Sequence, residues 1–252
     1  MGANIGKIDA EWIQVLQQQI LQYIQSHIDW LGIRKPSIGG PPIKMLDYAC
    51  GSGIASKALV PYVDIIRGID VSDGMVDRFN NVARSAGFSE QQMYATRGDL
   101  LDNNYSSKPE DETDTTINSK DFFDFDIAVI SMALHHVSDP QSLVSRLVER
   151  LRVGGILLIV DGSTPEQSQL QSYLDAQHHN HGSENLLSRT RHIISKLGFD
   201  AVEIRTFLLN AGCNECSIEY LLNEEASKIP EDVTGVKGGV ENKLFFAKGT
   251  KA

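Results

Sequence analysis

Residues 45–59 read MLDYACGSGIASKAL, an apolar run that ends in an aspartate and then turns to the smallest side chains before a helix-forming stretch. A strand over about Ile43 to Tyr48 and a helix from about Ile54 to Tyr62 are expected here. Glycine between a strand and a helix is favoured where φ must be positive, or where something approaches the backbone closely. The small residues in question are Ala49, Cys50, Gly51 and Gly53, with Asp47 just ahead of them.

Working outward, strands and helices alternate. "VDIIRGIDVS" predicts a buried second strand over Ile65 to Val71. Ser72 follows as the cap of the helix "DGMVDRFNNVARSAG", and Gly87 is its stop. "QMYATRGD" is a third strand, "FDIAVISMAL" a fourth over Asp126 to Ser131, and "GILLIVD" a fifth. "DPQSLVSRLVERLRVGG" reads as a capped amphipathic helix with Pro140 in its first turn. A helix is expected from Ser183, a sixth strand over "DAVEIRTFLL", a helix over "SIEYLLNEEASKI" and a seventh strand over "NKLFFAKG". The polar, acidic stretch 103–120 has no period and reads as an inserted surface loop.

Such alternation implies βαβ units, and the continuous apolar strands imply a sheet covered on both faces. The expected fold is therefore α/β, doubly wound, with a seven-stranded mostly parallel sheet and an antiparallel last strand. Residues 8–31 place Ile8, Trp12, Val15, Leu16, Ile20, Tyr23, Ile24 and Ile28 near helical spacing. They make 1–38 an N-terminal helical appendage to a single domain over 39–252. The aromatics Trp12, Tyr23 and Trp30 suit either core packing or closure over a pocket.

The chain of 252 residues carries a net charge of −10, which argues against nucleic acid or an anionic membrane surface as the main partner. No apolar run approaches the ~18 residues that span a bilayer, and no signal peptide is expected at the N-terminus. With three cysteines, too few for a disulfide framework, a reducing cytoplasmic setting is expected. The lone CxxC of Cys213 and Cys216 reads as two unrelated thiols rather than as a metal or redox pair.

Ligands of such sheets sit beyond the carboxyl ends of the strands where the strand order reverses. Asp70 ends the second strand a little over 20 residues past Asp47, the place of an acid that accepts from ribose hydroxyls. A dinucleotide site would want GxGxxG, but the third glycine is missing after Gly51 and Gly53. "GDL", comprising Gly98, Asp99 and Leu100, closes the third strand.

At these residues the sequence resembles the class I S-adenosylmethionine-dependent methyltransferases. "LDYACGSG" looks like their first motif, with Ala49 where glycine is usual, and the alanine implies backbone in an ordinary region. "FDIAVISMALHHVSDP" resembles their fourth motif. The resemblance implies S-adenosyl-L-methionine as cofactor and S-adenosyl-L-homocysteine as product. It places Asp47 and backbone 49–53 around the methionine part, Asp70 on the ribose hydroxyls, and Val71 and Met75 along the adenine. Asp99, flanked by Gly98 and Leu100, would meet the adenine amino group, with Ser131 and Met132 at the end of the fourth strand.

His135 and His136 follow that strand, and histidine titrates where a general base is useful. Both also suit a structural turn. In "DAQHHNHG", Asp175, His178, His179 and His181 read as a solvated loop, a substrate lid or, less simply, a metal cluster, and His181 is a third candidate for the acceptor side. No resident metal is expected.

The reading is a methyl transfer by in-line displacement to an O, N or S atom of a small molecule, by a monomer or homodimer. The alternatives are a nucleotide-dependent oxidoreductase with a degenerate phosphate loop and a catalytically silent binding subunit.

Overall fold

The computed structural model describes residues 11–35, 40–103, 105–109, 116–165, 198–231 and 236–252. Its elements run α1 (Glu11–Ser26), α2 (Ile28–Leu31), β1 (Lys44–Tyr48), α3 (Ile54–Leu59), β2 (Ile65–Asp70), α4 (Asp73–Ser85), β3 (Met93–Arg97), β4 (Phe125–Ser131), α5 (Pro140–Glu149), β5 (Leu151–Gly162), α6 (Ala201–Asn210), β6 (Glu219–Ile229) and β7 (Val240–Thr250). Single 3-10 turns follow α3, at Val60–Tyr62, and β4, at Leu134–His136.

One seven-stranded sheet has the order β3-β2-β1-β4-β5-β7-β6. β1 pairs in parallel with both β2 and β4, so the strand order reverses between β1 and β4, the place where ligands of such sheets bind beyond the carboxyl ends. Only β7 runs against the rest, antiparallel to β5 and to β6. The strands are apolar because both faces are covered. Leu46, Tyr48, Phe125, Ile130, Leu157 and Phe245 belong to one buried layer, and Met45, Ile66, Ile127, Val129, Leu158 and Phe246 to the other.

Two expectations near the C-terminus are overturned, and they exchange places. "DAVEIRTFLL" is helix α6, not a strand. Asp200 accepts from the Glu203 amide and the Glu203 side chain returns to the Asp200 amide, a capping box that fixes a helix start. Ile204 and Leu208, one turn apart, are buried, whereas Val202 is 73% exposed. "SIEYLLNEEASKI" holds strand β6, not a helix. Its Glu, Ala and Lys favour helix locally, but pairing with β7 from Glu219↔Lys248 to Ile229↔Val240 prevails. The register shifts between Leu222 and Ala226, so no simple alternation marks the strand in the sequence.

The N-terminal periodicity gives two helices, broken at His27, the second ended by Gly32 in the left-handed region at φ 72°. Ile20 and Ile24 are buried and the Tyr23 ring stacks on Phe246 at 3.9 Å. Trp30 donates from its indole nitrogen to Glu219 at 2.8 Å. These contacts belong to core packing; Ile8 lies outside the described residues.

The inserted stretch is also more embedded than its composition suggests. Ile117, Asn118 and Phe122 are buried. Arg150, wholly buried at the end of α5, donates to the carbonyls of Ile117 at 2.8 Å and Ser106 at 3.0 Å, and lies 3.9 Å over the Phe123 ring. A buried guanidinium needs such acceptors, and here the insertion supplies them.

Candidate active site

The turn after β1 is built from left-handed residues. Gly51 has φ 50° and Gly53 φ 77°, as the sequence implies, but so does Ala49 at φ 53°. The expectation of ordinary backbone at Ala49 is therefore wrong: the turn requires positive φ there whatever the side chain, at a cost of about 1–2 kcal/mol. The Gly53 amide closes the turn on the Cys50 carbonyl at 2.7 Å, and a Cβ on Gly53 would meet the Phe79 ring at 3.1 Å. The Cys50 thiol packs where Gly68 leaves room, since a Cβ there would lie 2.9 Å from Sγ. Burial pushes that thiol well above the usual range, so Cys50 contributes backbone rather than a nucleophile.

Asp47, 2% exposed, accepts from the Ser56 hydroxyl at 2.6 Å and the Ser56 amide at 3.2 Å. It ties β1 to the first turn of α3. Burial raises its carboxyl to about 7, Ser56 opposes the shift, and Asp70 adds to it.

Asp70 joins two loops. One oxygen accepts from the Gly51 amide and the other from the Ser72 amide, each at 2.9 Å. Ser72 stands at the cap position of α4 without a side-chain cap bond, contrary to expectation, and its amide donates to Asp70. Val71 beside it is 60% exposed, and Met75 lies in the first turn of α4, half-buried. At the end of β3, Asp99 accepts from the Leu101 amide at 2.8 Å and from the Tyr48 hydroxyl at 3.1 Å. Tyr48 in turn accepts from the amide of Leu100, which is buried, at 3.3 Å. Gly98 is required by close approach: a Cβ there would sit 2.5 Å from Ile117 Cγ2.

At the end of β4, the Ser131 hydroxyl is buried and has no hydrogen-bond partner among the described residues. Met132 is left-handed at φ 53°, its amide held by the Val160 carbonyl at 2.8 Å. Ala49 and Met132, both strained for non-glycine residues, thus follow the adjacent strands β1 and β4, between which the strand order reverses. His135 Nδ1 is 2.7 Å from Asp161 Oδ1 at the end of β5, and the His136 ring lies 3.9 Å from that of His135.

Residues 49–53, 70–71, 98–100 and 131–132 therefore follow the carboxyl ends of four adjacent strands, as expected. His135 joins them at that edge and His136 is exposed beside it. His181, with Asp175, His178 and His179, lies outside the described residues. The Cys213 thiol is buried and pushed up to about 11, whereas Cys216 is exposed. Sequence reasoning missed Ser56, Tyr48 and Asp161. Asp161 carried a usable signal, an acid closing an apolar strand, the same logic that singled out Asp70.

A glycine turn after β1 is common to dinucleotide enzymes and methyltransferases, but a single reversed strand, β7, placed between β5 and β6 is the arrangement of the class I S-adenosylmethionine-dependent methyltransferases. Comparison with known proteins agrees: this chain belongs to the methyltransferase domain family, whose model matches residues 17–213. S-adenosylmethionine is that family's cofactor. An uncharacterised methyltransferase of Schizosaccharomyces pombe is 36% identical over 121 residues, covering 47% of this chain and 38% of that protein. Ubiquinone biosynthesis O-methyltransferase of Coxiella burnetii is 33% identical over 113 residues, 45% of this chain and 41% of its own length. The match thus spans less than half of each of these relatives. The crystal structure of magnesium protoporphyrin IX methyltransferase from Synechocystis PCC 6803, with bound S-adenosylhomocysteine, covers 100% of this chain and 90% of its own, at 12% identity and a TM-score of 0.56.

Proposed function

We propose that this protein transfers a methyl group from S-adenosylmethionine to an oxygen, nitrogen or sulfur atom of a small-molecule acceptor. The observation that carries the reading is Asp70, whose two oxygens each hold one loop amide and keep further lone pairs for a ribose diol. The surrounding groups fit the rest of the cofactor. Exposed Val71, with Met75, offers an apolar wall to the adenine, and Asp99, between Gly98 and Leu100, accepts from its amino group. Asp47 and the 49–53 backbone border the methionine part. The Ser131 hydroxyl beside Met132, without a partner among the described residues, gives that end a polar contact. His135 and His136 are the candidates on the acceptor side, with His181 a third by its place in the sequence.

When bound, the sulfonium supplies a methyl group whose leaving group is a neutral thioether. The protein's task is then chiefly to position the acceptor in line. The acidic net charge and the likeness to ubiquinone biosynthesis O-methyltransferase support a small acceptor rather than nucleic acid. Among the described residues no helix is long and apolar enough to cross a membrane. We read the protein as cytoplasmic, a monomer or homodimer, with 1–38 as a helical appendage to one domain over 39–252.

Calorimetric titration with S-adenosylmethionine, S-adenosylhomocysteine and NADH tests the reading. Micromolar binding of the first two supports it. Binding of NADH alone would establish the oxidoreductase alternative, and no binding at all would leave a scaffold without the cofactor.

A further inference from the structure

Asp99 is held at one oxygen only. Its Oδ1 accepts from the Leu101 amide at 2.8 Å and from the Tyr48 hydroxyl at 3.1 Å, whereas Oδ2 has no hydrogen bond among the described residues. Asp99 itself is half-buried. Tyr48 is 6% exposed and lies in the central strand β1, paired with Ile69 of β2 and Ile130 of β4. Its ring belongs to the same buried layer as Leu100 and Ile130, and close packing fixes where the hydroxyl sits. The hydroxyl also accepts from the Leu100 amide at 3.3 Å, while Arg146 of α5 donates to the Leu100 carbonyl. Leu100 is thus gripped at both ends.

The direction of the Tyr48 bond follows from its partners. A backbone amide only donates and a carboxylate only accepts, so the single phenolic proton points at Asp99 and a lone pair receives Leu100. Burial and the neighbouring Asp99 charge push the Tyr48 phenol above its usual range, which keeps that proton in place.

We propose that Tyr48 is a positioning residue for the base specificity of the cofactor site: its hydroxyl fixes the Asp99 carboxylate so that Oδ2 is presented to the exocyclic amino group of adenine. The inference rests on the methyltransferase reading and deepens it from a contact to what makes that contact selective. With the Leu101 amide as its only hold, the carboxylate could turn about that contact. A second donor, arriving from a different strand, removes the freedom and leaves the other oxygen one direction. An amino group donates to it. A keto group in the same place sets acceptor against acceptor and leaves the charge unpaired, which such a site rejects strongly.

Two ligands that differ only at the amino group separate positioning from a merely structural role. Calorimetry compares S-adenosylhomocysteine with its purine analogue lacking that group, in the unmodified protein and in Tyr48→Phe. In Tyr48→Phe the affinity for S-adenosylhomocysteine should fall about tenfold and that for the analogue, which has nothing to donate to Oδ2, by less than about threefold, a difference within the range for groups coupled through one network. A site deformed by the lost hydroxyl would weaken both alike. Should Tyr48→Phe fail to fold, Asp99→Asn gives an independent reading. Both donors at the Oδ1 place need an acceptor, so the asparagine carbonyl takes that place and its NH2 turns toward the base. The preference for S-adenosylhomocysteine over S-inosylhomocysteine, which carries the keto group, should then invert.

Equal losses for the two ligands in Tyr48→Phe, or no loss for either, overturn the proposal. So does an Asp99→Asn protein that still prefers the amino ligand. Failure of the unmodified protein to bind S-adenosylhomocysteine would overturn the methyltransferase reading itself, and the proposal with it.

Discussion

Asp70 Oδ2 and the Gly51 amide meet at 2.9 Å, so the acid that closes β2 holds the glycine turn that closes β1. Its other oxygen holds the Ser72 amide at the same distance, where α4 begins. One side chain therefore fixes both turns, and in the proposed reading its remaining lone pairs take the ribose.

Asp70→Asn tests that double duty. Asparagine keeps one acceptor oxygen and brings a donor that faces an amide or a ribose hydroxyl. Losing charge-assisted hydrogen bonds of about 1.5–3 kcal/mol each should weaken S-adenosylmethionine binding by roughly 100-fold. Stability should also fall by about 1–3 kcal/mol, because an amide loses its partner. Calorimetry and denaturant unfolding read the two effects, and an affinity within threefold of the parent would remove Asp70 from the ribose site.

Asp47 makes stability depend on pH in an unusual direction. Its carboxyl titrates near 7 in the folded protein, against 3.8 as the ordinary value. Between those limits the folded state holds a proton that the unfolded chain has released. Its contribution therefore lowers stability as pH rises from about 4 to about 7, by at most about 1.4 kcal/mol per unit. The penalty is complete above the folded value and disappears below the unfolded one. Asp47→Asn, neutral throughout and still able to accept from Ser56, should be more stable than the parent above pH 7. The gap should close as pH approaches 4, and urea midpoints across this range check it. A gap that is constant with pH would mean that Asp47 is not the titrating group.

The sheet and the turns at its carboxyl edge were legible because their signals are local. Asp47 to Gly53 is one uninterrupted motif, Asp70 ends an apolar run, and Asp99 stands two residues past the third strand. What escaped depends on register. Asp161 reaches His135 only because β4 and β5 pair Ser131 with Val160, and Tyr48 reaches Asp99 across 51 positions. The exchange of α6 and β6 has the same origin. Helix-favouring residues in 219–229 yield to pairing with β7, a partner that no window around them contains. Ala49 failed differently, since the residue type argued against a φ that the turn imposes.

The insertion bears on the pocket through Gly98. A methyl there would lie 2.5 Å from Ile117 Cγ2 and 3.1 Å from Cδ1, and Arg150 holds the Ile117 carbonyl at 2.8 Å. Gly98→Ala should therefore cost about 1–3 kcal/mol through overpacking and displace Asp99 next to it. Ile117→Ala alone should cost about 2–4 kcal/mol as a cavity. Together they should cost clearly less than the sum, because each relieves the other. Additive unfolding energies would show that Ile117 does not press on this turn.

Ala49 sits at φ 53° in a turn whose other bends are glycines. The left-handed conformation costs an alanine about 1–2 kcal/mol, whereas glycine adopts it freely. Part of that gain is lost to the greater freedom of glycine in the unfolded chain, which offsets about 0.5–1 kcal/mol. Ala49→Gly should thus stabilise the protein by about 0.5–1 kcal/mol and raise Tm by roughly 1–4 °C. The Gly51 amide and its bond to Asp70 need not change, so S-adenosylmethionine affinity should stay within about threefold. Ala49→Val should do the opposite, since a β-branched side chain tolerates positive φ worst. Thermal unfolding of the two variants beside the parent is the check. A destabilised glycine variant would mean that the alanine methyl makes a contact outweighing the strain of its backbone.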